Sequence, residues 1–173
     1  MPTLYILCGI PASGKSTWAH EFLASDTKDT RYVSRDEIRF SMLEEDDDYF
    51  AHEKKVFEKF ADTIAQTLVD GFDVIADATH VNEYSRTKLT NAIDAYITEY
   101  KIIYVVFHTG VEECVRRNSL REGRAHVSEE SIRGMRRSFT MPTLRADNRA
   151  VEIIPVGTPI DDLYHLLEPY RRT

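Results

Sequence analysis

The chain has 173 residues, 22 basic against 29 acidic side chains, a net charge of −7 and 42% hydrophobic residues. That size suits one compact domain, expected over residues 1–173, with a core of its own. The acidic balance argues against non-specific coating of nucleic acid. No apolar run approaches the ~18 residues of a membrane span, so no membrane partner is expected.

The first strand is expected at 3–8, a short apolar run, with a helix over 16–24. Between them, residues 9–17 read GIPASGKST and fit G-x-x-x-x-G-K-[ST]. Gly9 and Gly14 let the backbone wrap so that its N–H groups point inward at phosphate oxygens. Lys15 is a point charge for the outer phosphates, and the Ser16 hydroxyl is placed for Mg²⁺. The start of the helix adds its positive dipole end. Gly9, Ala12, Ser13, Gly14, Lys15, Ser16 and Thr17 are therefore the candidate ATP contacts. Strand, loop, helix is the order in which this motif binds a nucleoside triphosphate.

A polar turn at 26–30 leads to a short second strand at 31–34. Asp36 and Arg39 follow at i, i+3, on one face of a helical turn. Asp36 is either a general base for an attacking hydroxyl or the cap of its helix; Arg39 either holds an anionic group of the acceptor or is a surface charge. Residues 44–48 are an acidic run, read as a solvated loop. An amphipathic helix is expected over 50–70, with Phe57, Phe60, Ala61, Ile64 and Leu68 on one face and Gly71 as its left-handed stop.

The third strand, 72–76, ends at Asp77, a second Mg²⁺ anchor or a turn cap. Thr79 and His80 share its loop; His80 either contacts the acceptor or is a satisfied loop histidine. Asn82 caps a helix over 83–96. The fourth strand, 100–107, is the most apolar. After it, Arg116, Arg117, Arg121 and Arg124 span a helix end (111–120) and a loop (122–127). Ser128 caps the next helix, running to 139. A fifth strand at 150–155, a loop at 157–159 beside the purine and a closing helix at 160–168 complete the pattern.

Strands alternating with helices make this an α/β protein with a five-stranded parallel sheet and helices on both faces. Ligands of such sheets lie beyond the carboxyl ends of the strands, where these polar residues cluster. Charge follows the same plan. Residues 116–149 hold nine arginines against four acidic residues, a net +5, leaving −12 for the rest. An arginine-bearing lid over about 116–137 would close on ATP, with Arg117 and Arg121, i and i+4, neutralising the transferring phosphoryl. Tyr32, Phe40, Phe50, Phe57, Phe60 and Phe72 are mostly core rather than a base-stacking platform. Cys8 and Cys114 read as reduced thiols of a cytoplasmic protein.

Four stretches in this order, GIPASGKSTWA at 9–19, SRDEIR at 34–39, VIADAT at 74–79 and VRRNS at 115–119, resemble the kinase domain of phage-type polynucleotide 5′-kinases. The resemblance covers residues 4–139. It implies a P-loop kinase fold with strand order 2-3-1-4-5, ATP and Mg²⁺, and an acceptor 5′-hydroxyl on a nucleic acid or nucleotide. It implies Asp36 as general base, Arg39 on an acceptor phosphate, Asp77 and Thr79 lining the site, and Arg117 and Arg121 in the lid. His80 stands where that family often has asparagine.

The leading expectation is thus an ATP-dependent kinase. Lys15, Asp36, Arg117 and Arg121 are catalytic, Ser16 and Asp77 hold the metal, and Arg39, Asp77, Thr79 and His80 bind the acceptor. Two alternatives are a kinase for a small metabolite, antibiotic or nucleotide sugar, and an ATP-binding switch that transfers to no acceptor.

Overall fold

Strand β1 (Thr3–Cys8) is buried at all six positions, as a strand covered on both faces must be. It pairs in parallel with β3 (Val74–Asp77) on one side and β4 (Lys101–Phe107) on the other. β2 (Arg31–Ser34) adds to β3 and β5 (Ala150–Val156) to β4, so the five-stranded order is β2-β3-β1-β4-β5, as expected. The structure is a computed structural model describing residues 1–25, 29–144 and 147–157, without the Arg124 side chain. The closing helix at 160–168, residues 158–159, Arg145 and most of the 26–30 turn lie outside the described residues.

Helices cover both faces. α1 (Lys15–Ser25) lays Trp18, Ala19, Phe22 and Leu23 on Tyr5, Leu7, Val105 and Phe107. On the other face α3 (Glu53–Val69) and α4 (Glu83–Asp94) bring Phe60, Ile64, Leu68, Leu89 and Ile93 onto Leu4, Ile6, Val74, Ile102 and Tyr104. Each such side chain contributes roughly 1.5–3 kcal/mol by leaving water. A third cluster joins the phosphate loop to the segment after β4. Ile10 and Ala12 pack with Cys114 of α5 (Val111–Ser119) and Ile132 of α6 (Glu129–Arg137).

Local signals explain most boundaries. Asn82 caps α4 in a reciprocal capping box with Ser85, and Ser128 caps α6 by accepting from Ser131 N. Gly71, at φ +89°, turns the chain out of α3. Several boundaries differ from the sequence expectation by one to three residues, and two of the later starts have a visible cause. The long helix starts at Glu53 rather than at 50, because His52 is left-handed (φ +60°) and residues 48–51 form a turn. β3 starts at Val74 because Asp73 is used earlier: its carboxylate accepts from Thr3 N (2.7 Å) and its carbonyl from Arg31 N (2.8 Å).

Candidate functional site

The phosphate loop leaves the middle of the sheet and is shaped by its own backbone. Ala12 (φ +62°) and Gly14 (φ +99°) take left-handed conformations that curl the chain toward the N-terminus of α1. Gly9 has no room for more than hydrogen: a Cβ there would stand 2.6 Å from Ser13 Oγ and 3.0 Å from Phe107 Cβ. Gly9 N donates to Thr79 O at 2.9 Å, so Thr79 ties the loop through its carbonyl. Lys15 is buried and donates its Nζ to Gly9 O (3.1 Å) and Ile10 O (2.9 Å). Burial pushes its pKa down; the Asp77 and then Asp36 carboxylates act against that. Ser16 and Thr17 stand exposed on the first turn of α1.

Asp77 does not cap its turn. Its Oδ2 accepts from Ser16 Oγ (2.7 Å) and from Tyr32 OH (2.6 Å). A serine hydroxyl and a buried carboxylate converging on one point beside a lysine form an all-oxygen donor set, which suits a hard cation such as Mg²⁺. Ser13 Oγ is buried with no protein partner, a further polar atom facing into the loop's own curl.

Asp36 and Asp77 stand at neighbouring strand ends, since Ser34 pairs in register with Asp77. Ser34, not Asp36, caps α2 (Arg35–Met42), accepting from Glu37 N at 3.3 Å. Asp36 is thereby left free of the capping role, and its side chain is 62% exposed. It accepts from Arg39 Nη1 and from Tyr49 OH (2.9 Å). Arg39 is not a surface charge: its side chain is 6% exposed and also donates to Glu53 Oε2 (2.8 Å) and to Tyr49 OH (2.9 Å). Burial acts against its charge, and the contacts with Glu53, Tyr49 and Asp36 outweigh that and raise its pKa. Arg35 reaches Glu53 as well, so Glu53 bridges two arginines of α2 to the start of α3. Burial and the Asp36 carboxylate push the Tyr49 phenol up to about 12.

His80 is the satisfied loop histidine, not an acceptor contact. It is 4% exposed, with φ +40°, its Nδ1–H donates to Leu7 O (3.0 Å) and its ring stacks 6.1 Å from Phe60. Burial lowers its pKa to about 3, so it stays neutral. Phe40 and Phe50, expected with the core, are exposed beside Tyr49, whereas Phe60 is core as expected.

The arginines after β4 divide. Arg117 Nη1 lies 3.9 Å from the Cβ position of Gly14, over the phosphate loop, while its Nε donates to Glu113 (2.7 Å). Arg121 is exposed at the turn leaving α5, its charge close enough to lower the pKa of Lys15. Arg116 pairs with Glu113, and Arg133 with Glu112 and Glu129, so neither is directed at the loop. The C-terminal half of the expected lid is docked. Ile132 is fully buried against the phosphate-loop cluster, Thr140 N donates to Val81 O (2.8 Å), and Arg86 holds Thr140 O (3.0 Å). Among the described residues of that arm, 119–123, 125–126 and 128–131 are exposed.

Sequence reasoning missed Tyr32, Tyr49 and Glu53. Tyr32 was visible as a tyrosine two residues before the strand end; Tyr49 and Glu53 follow an acidic loop and carry no local signature.

A family model described as an AAA domain matches residues 4–142. Among solved structures, a chain of the Pnkp1/Rnl/Hen1 RNA repair complex superposes with a TM-score of 0.66 at 26% identity, covering 78% of this chain and 42% of that one. Kti12 from Chaetomium thermophilum, in complex with ADP-AlF3, matches with a TM-score of 0.61 at 14% identity, over 96% and 94% of the two chains. A fungal RNA kinase matches at 0.59 and 15% identity, over 93% of this chain and 39% of its own. The chain therefore spans less than half of the RNA repair chain and of the RNA kinase that it matches. No described helix is long and apolar enough to cross a membrane. A loop shaped for nucleotide phosphates, the 2-3-1-4-5 parallel sheet and the family match over residues 4–142 lead to one conclusion: the chain belongs to the AAA domain family and has the P-loop kinase fold.

Proposed function

We propose that this protein is a Mg²⁺-dependent kinase that moves the γ-phosphoryl of ATP to a 5′-hydroxyl of a nucleic acid or nucleotide, and that residues 1–173 act as one domain. The observation that carries this is Asp36: an exposed carboxylate, not used as a cap, one strand away from the Ser16–Asp77 pair and close enough to raise the pKa of Lys15. A carboxylate there takes the proton of the attacking hydroxyl as its oxygen bonds to the γ-phosphorus and the bond to the β-phosphate oxygen breaks. Lys15 and the amides of Ala12, Gly14, Ser16 and Thr17 cradle the phosphates; the amides of Gly9 and Ser13, expected among these contacts, are spent instead on Thr79 O and Ile10 O and shape the loop. Ser16 and Asp77 would hold Mg²⁺, which would supply neutralising charge to the phosphates when bound. Arg117, already over Gly14, and Arg121 on the exposed arm balance charge on the phosphoryl in flight. The likeness to a chain of an RNA repair complex at 26% identity favours a nucleic-acid acceptor.

A second reading, a small hydroxyl-bearing metabolite, is favoured by Arg39, whose charge is already matched by Asp36 and Glu53. Labelled ATP with 5′-hydroxyl oligonucleotides, nucleosides and small polyols separates the two. The expected result is rapid labelling of the oligonucleotide, competed by other oligonucleotides. Labelling confined to a polyol would replace the first reading with the second.

A further inference from the structure

The surface beside Asp36 is aromatic. Phe50 is 65% exposed and Phe40 39% exposed, and both rings contact Tyr49, edge to face, with centroids 4.9 and 6.2 Å apart. Single exposed aromatics are ordinary; a run of three that ends on a candidate general base is not. Tyr49 is the hinge of the run. Its hydroxyl donates to Asp36 (2.9 Å), and its ring lies under the Arg39 guanidinium, 4.5 Å away. The turn at 48–51 fixes Phe50 in place: Ala51 N donates to Asp48 O, and Phe50 N to Asp48 Oδ1, both at 2.9 Å. Glu44, Glu45, Asp46 and Asp48 stand exposed in the stretch of chain that leads from Phe40 to Tyr49 and Phe50.

The geometry points to a nucleobase site: the terminal base of the acceptor stacks on Phe50 and Phe40 while its 5′-hydroxyl sits at Asp36. This rests on the nucleic-acid reading above and sharpens it. Every base has a π-face, so such a platform is tolerant of sequence. A polyol or gluconate-like acceptor has no flat face to offer it. The acidic flank repels a phosphate chain, so the site reads the terminal nucleoside and does not track the backbone. Binding of that kind neutralises few phosphates and depends weakly on salt. Short acceptors then serve as well as long ones.

The test compares wild type, Phe50→Ala, Phe40→Ala and Phe50→Trp on 5′-hydroxyl dinucleotides and 12-mers, ribo and deoxy, each with a normal or an abasic 5′-terminal residue. Because both side chains are exposed, the variants should melt with the wild type. Expected for Phe50→Ala is a rise in acceptor KM of roughly tenfold, by analogy with the loss of one stacked base, with the KM for ATP unchanged. Phe50→Trp should restore it. On the abasic acceptor, wild type and Phe50→Ala should be alike, since the base that meets the ring is gone. Raising salt from 50 to 200 mM should change the 12-mer KM by less than about tenfold. An equal effect of Phe50→Ala and Phe40→Ala on abasic and normal acceptors, or no effect on either, overturns the platform while leaving the kinase reading intact. Failure of wild type to label any oligonucleotide overturns the kinase reading itself, and the platform with it.

Discussion

The two walls of the candidate site are built in opposite ways. The donor wall is one continuous stretch, residues 9–17, whose shape comes from backbone torsions at Ala12 and Gly14 and whose lysine is buried against its own carbonyls. The acceptor wall is assembled from side chains of separate segments: Asp36 and Arg39 on α2, Tyr49 in a turn, Glu53 at the start of α3. The first is rigid because each atom of the curl is covalently close to the next. The second is held by ion pairs and ring contacts between separate segments, so under the proposed function it is the wall that could change with the acceptor while the phosphate loop keeps its shape. Variants on the two walls should therefore separate: acceptor-wall changes alter transfer with ATP binding intact, and donor-wall changes alter ATP binding first.

The largest effect is expected from Asp36→Asn. It keeps the shape and a hydrogen-bonding oxygen for Arg39 and Tyr49 but removes the base. Turnover should fall by about 10²- to 10⁴-fold, while the dissociation constant for ATP, read by calorimetry, stays within a factor of two or so of wild type. Near-normal turnover in this variant would sink the assignment.

Gly9→Ala attacks the other wall. The new Cβ meets Ser13 Oγ at 2.6 Å and Phe107 Cβ at 3.0 Å, and Phe107 belongs to the sheet and cannot give way. Overpacking of this kind costs about 1–3 kcal/mol, and it falls on the loop that cradles phosphate. ATP affinity should drop roughly tenfold, with the acceptor KM at saturating ATP little changed. Unaltered ATP binding would mean that the loop adjusts and that the donor wall is softer than its packing implies.

Glu53→Gln sharpens the contrast from the acceptor side. Glu53 bridges Arg35 and Arg39, and its own side chain is 36% exposed, so the loss is smaller than for a fully buried pair: about 1 kcal/mol of stability, read as a lower denaturation midpoint. Arg39 would then be freer to turn to an acceptor phosphate. A lower KM for 3′-phosphorylated nucleosides than for unphosphorylated ones, seen in the variant and not in wild type, would identify Arg39 as the phosphate anchor. An unchanged preference would leave it as a strut for Asp36.

The same difference in construction decided what the sequence could show. The phosphate loop and the alternation of strands and helices are local patterns, and both, with the parallel sheet, were legible. So were the caps at Asn82 and Ser128, because capping needs only neighbours a few residues apart. Ser34 as the cap of α2 was not, since serine and aspartate two positions apart both satisfy the rule and only geometry chooses. Glu53 and Tyr49 were invisible for a stronger reason: their partners lie on another helix, and no periodicity links the two segments. Phe40 and Phe50 were misjudged because aromatic residues are mostly buried, and a binding surface violates that tendency on purpose.

His80 carries the smallest effect and tests the hinge between the walls, the loop after β3. Its ring is buried, donates to Leu7 O and is held neutral, with a pKa lowered to about 3. The unfolded chain binds a proton near pH 6.5, whereas the folded chain binds none until far lower. The unfolded state therefore takes up more protons as pH falls, and stability must fall with it. The contribution is fully present above pH 6.5 and is lost on acidification toward the folded pKa. From pH 7 to pH 6 this amounts to about 0.7 kcal/mol, a window in which carboxylates hardly titrate. Asparagine tolerates the left-handed torsion at this position, and its amide can donate to the same carbonyl. His80→Asn should fold normally, keep its turnover and reduce, without abolishing, the change in urea midpoint between pH 7 and 6, because burial lowers the pKa of His108 as well. A wild-type midpoint that is level across that interval would mean that the ring is protonated in the folded state and open to water. The loop after β3 would then face the acceptor after all, as part of the same wall as Asp36.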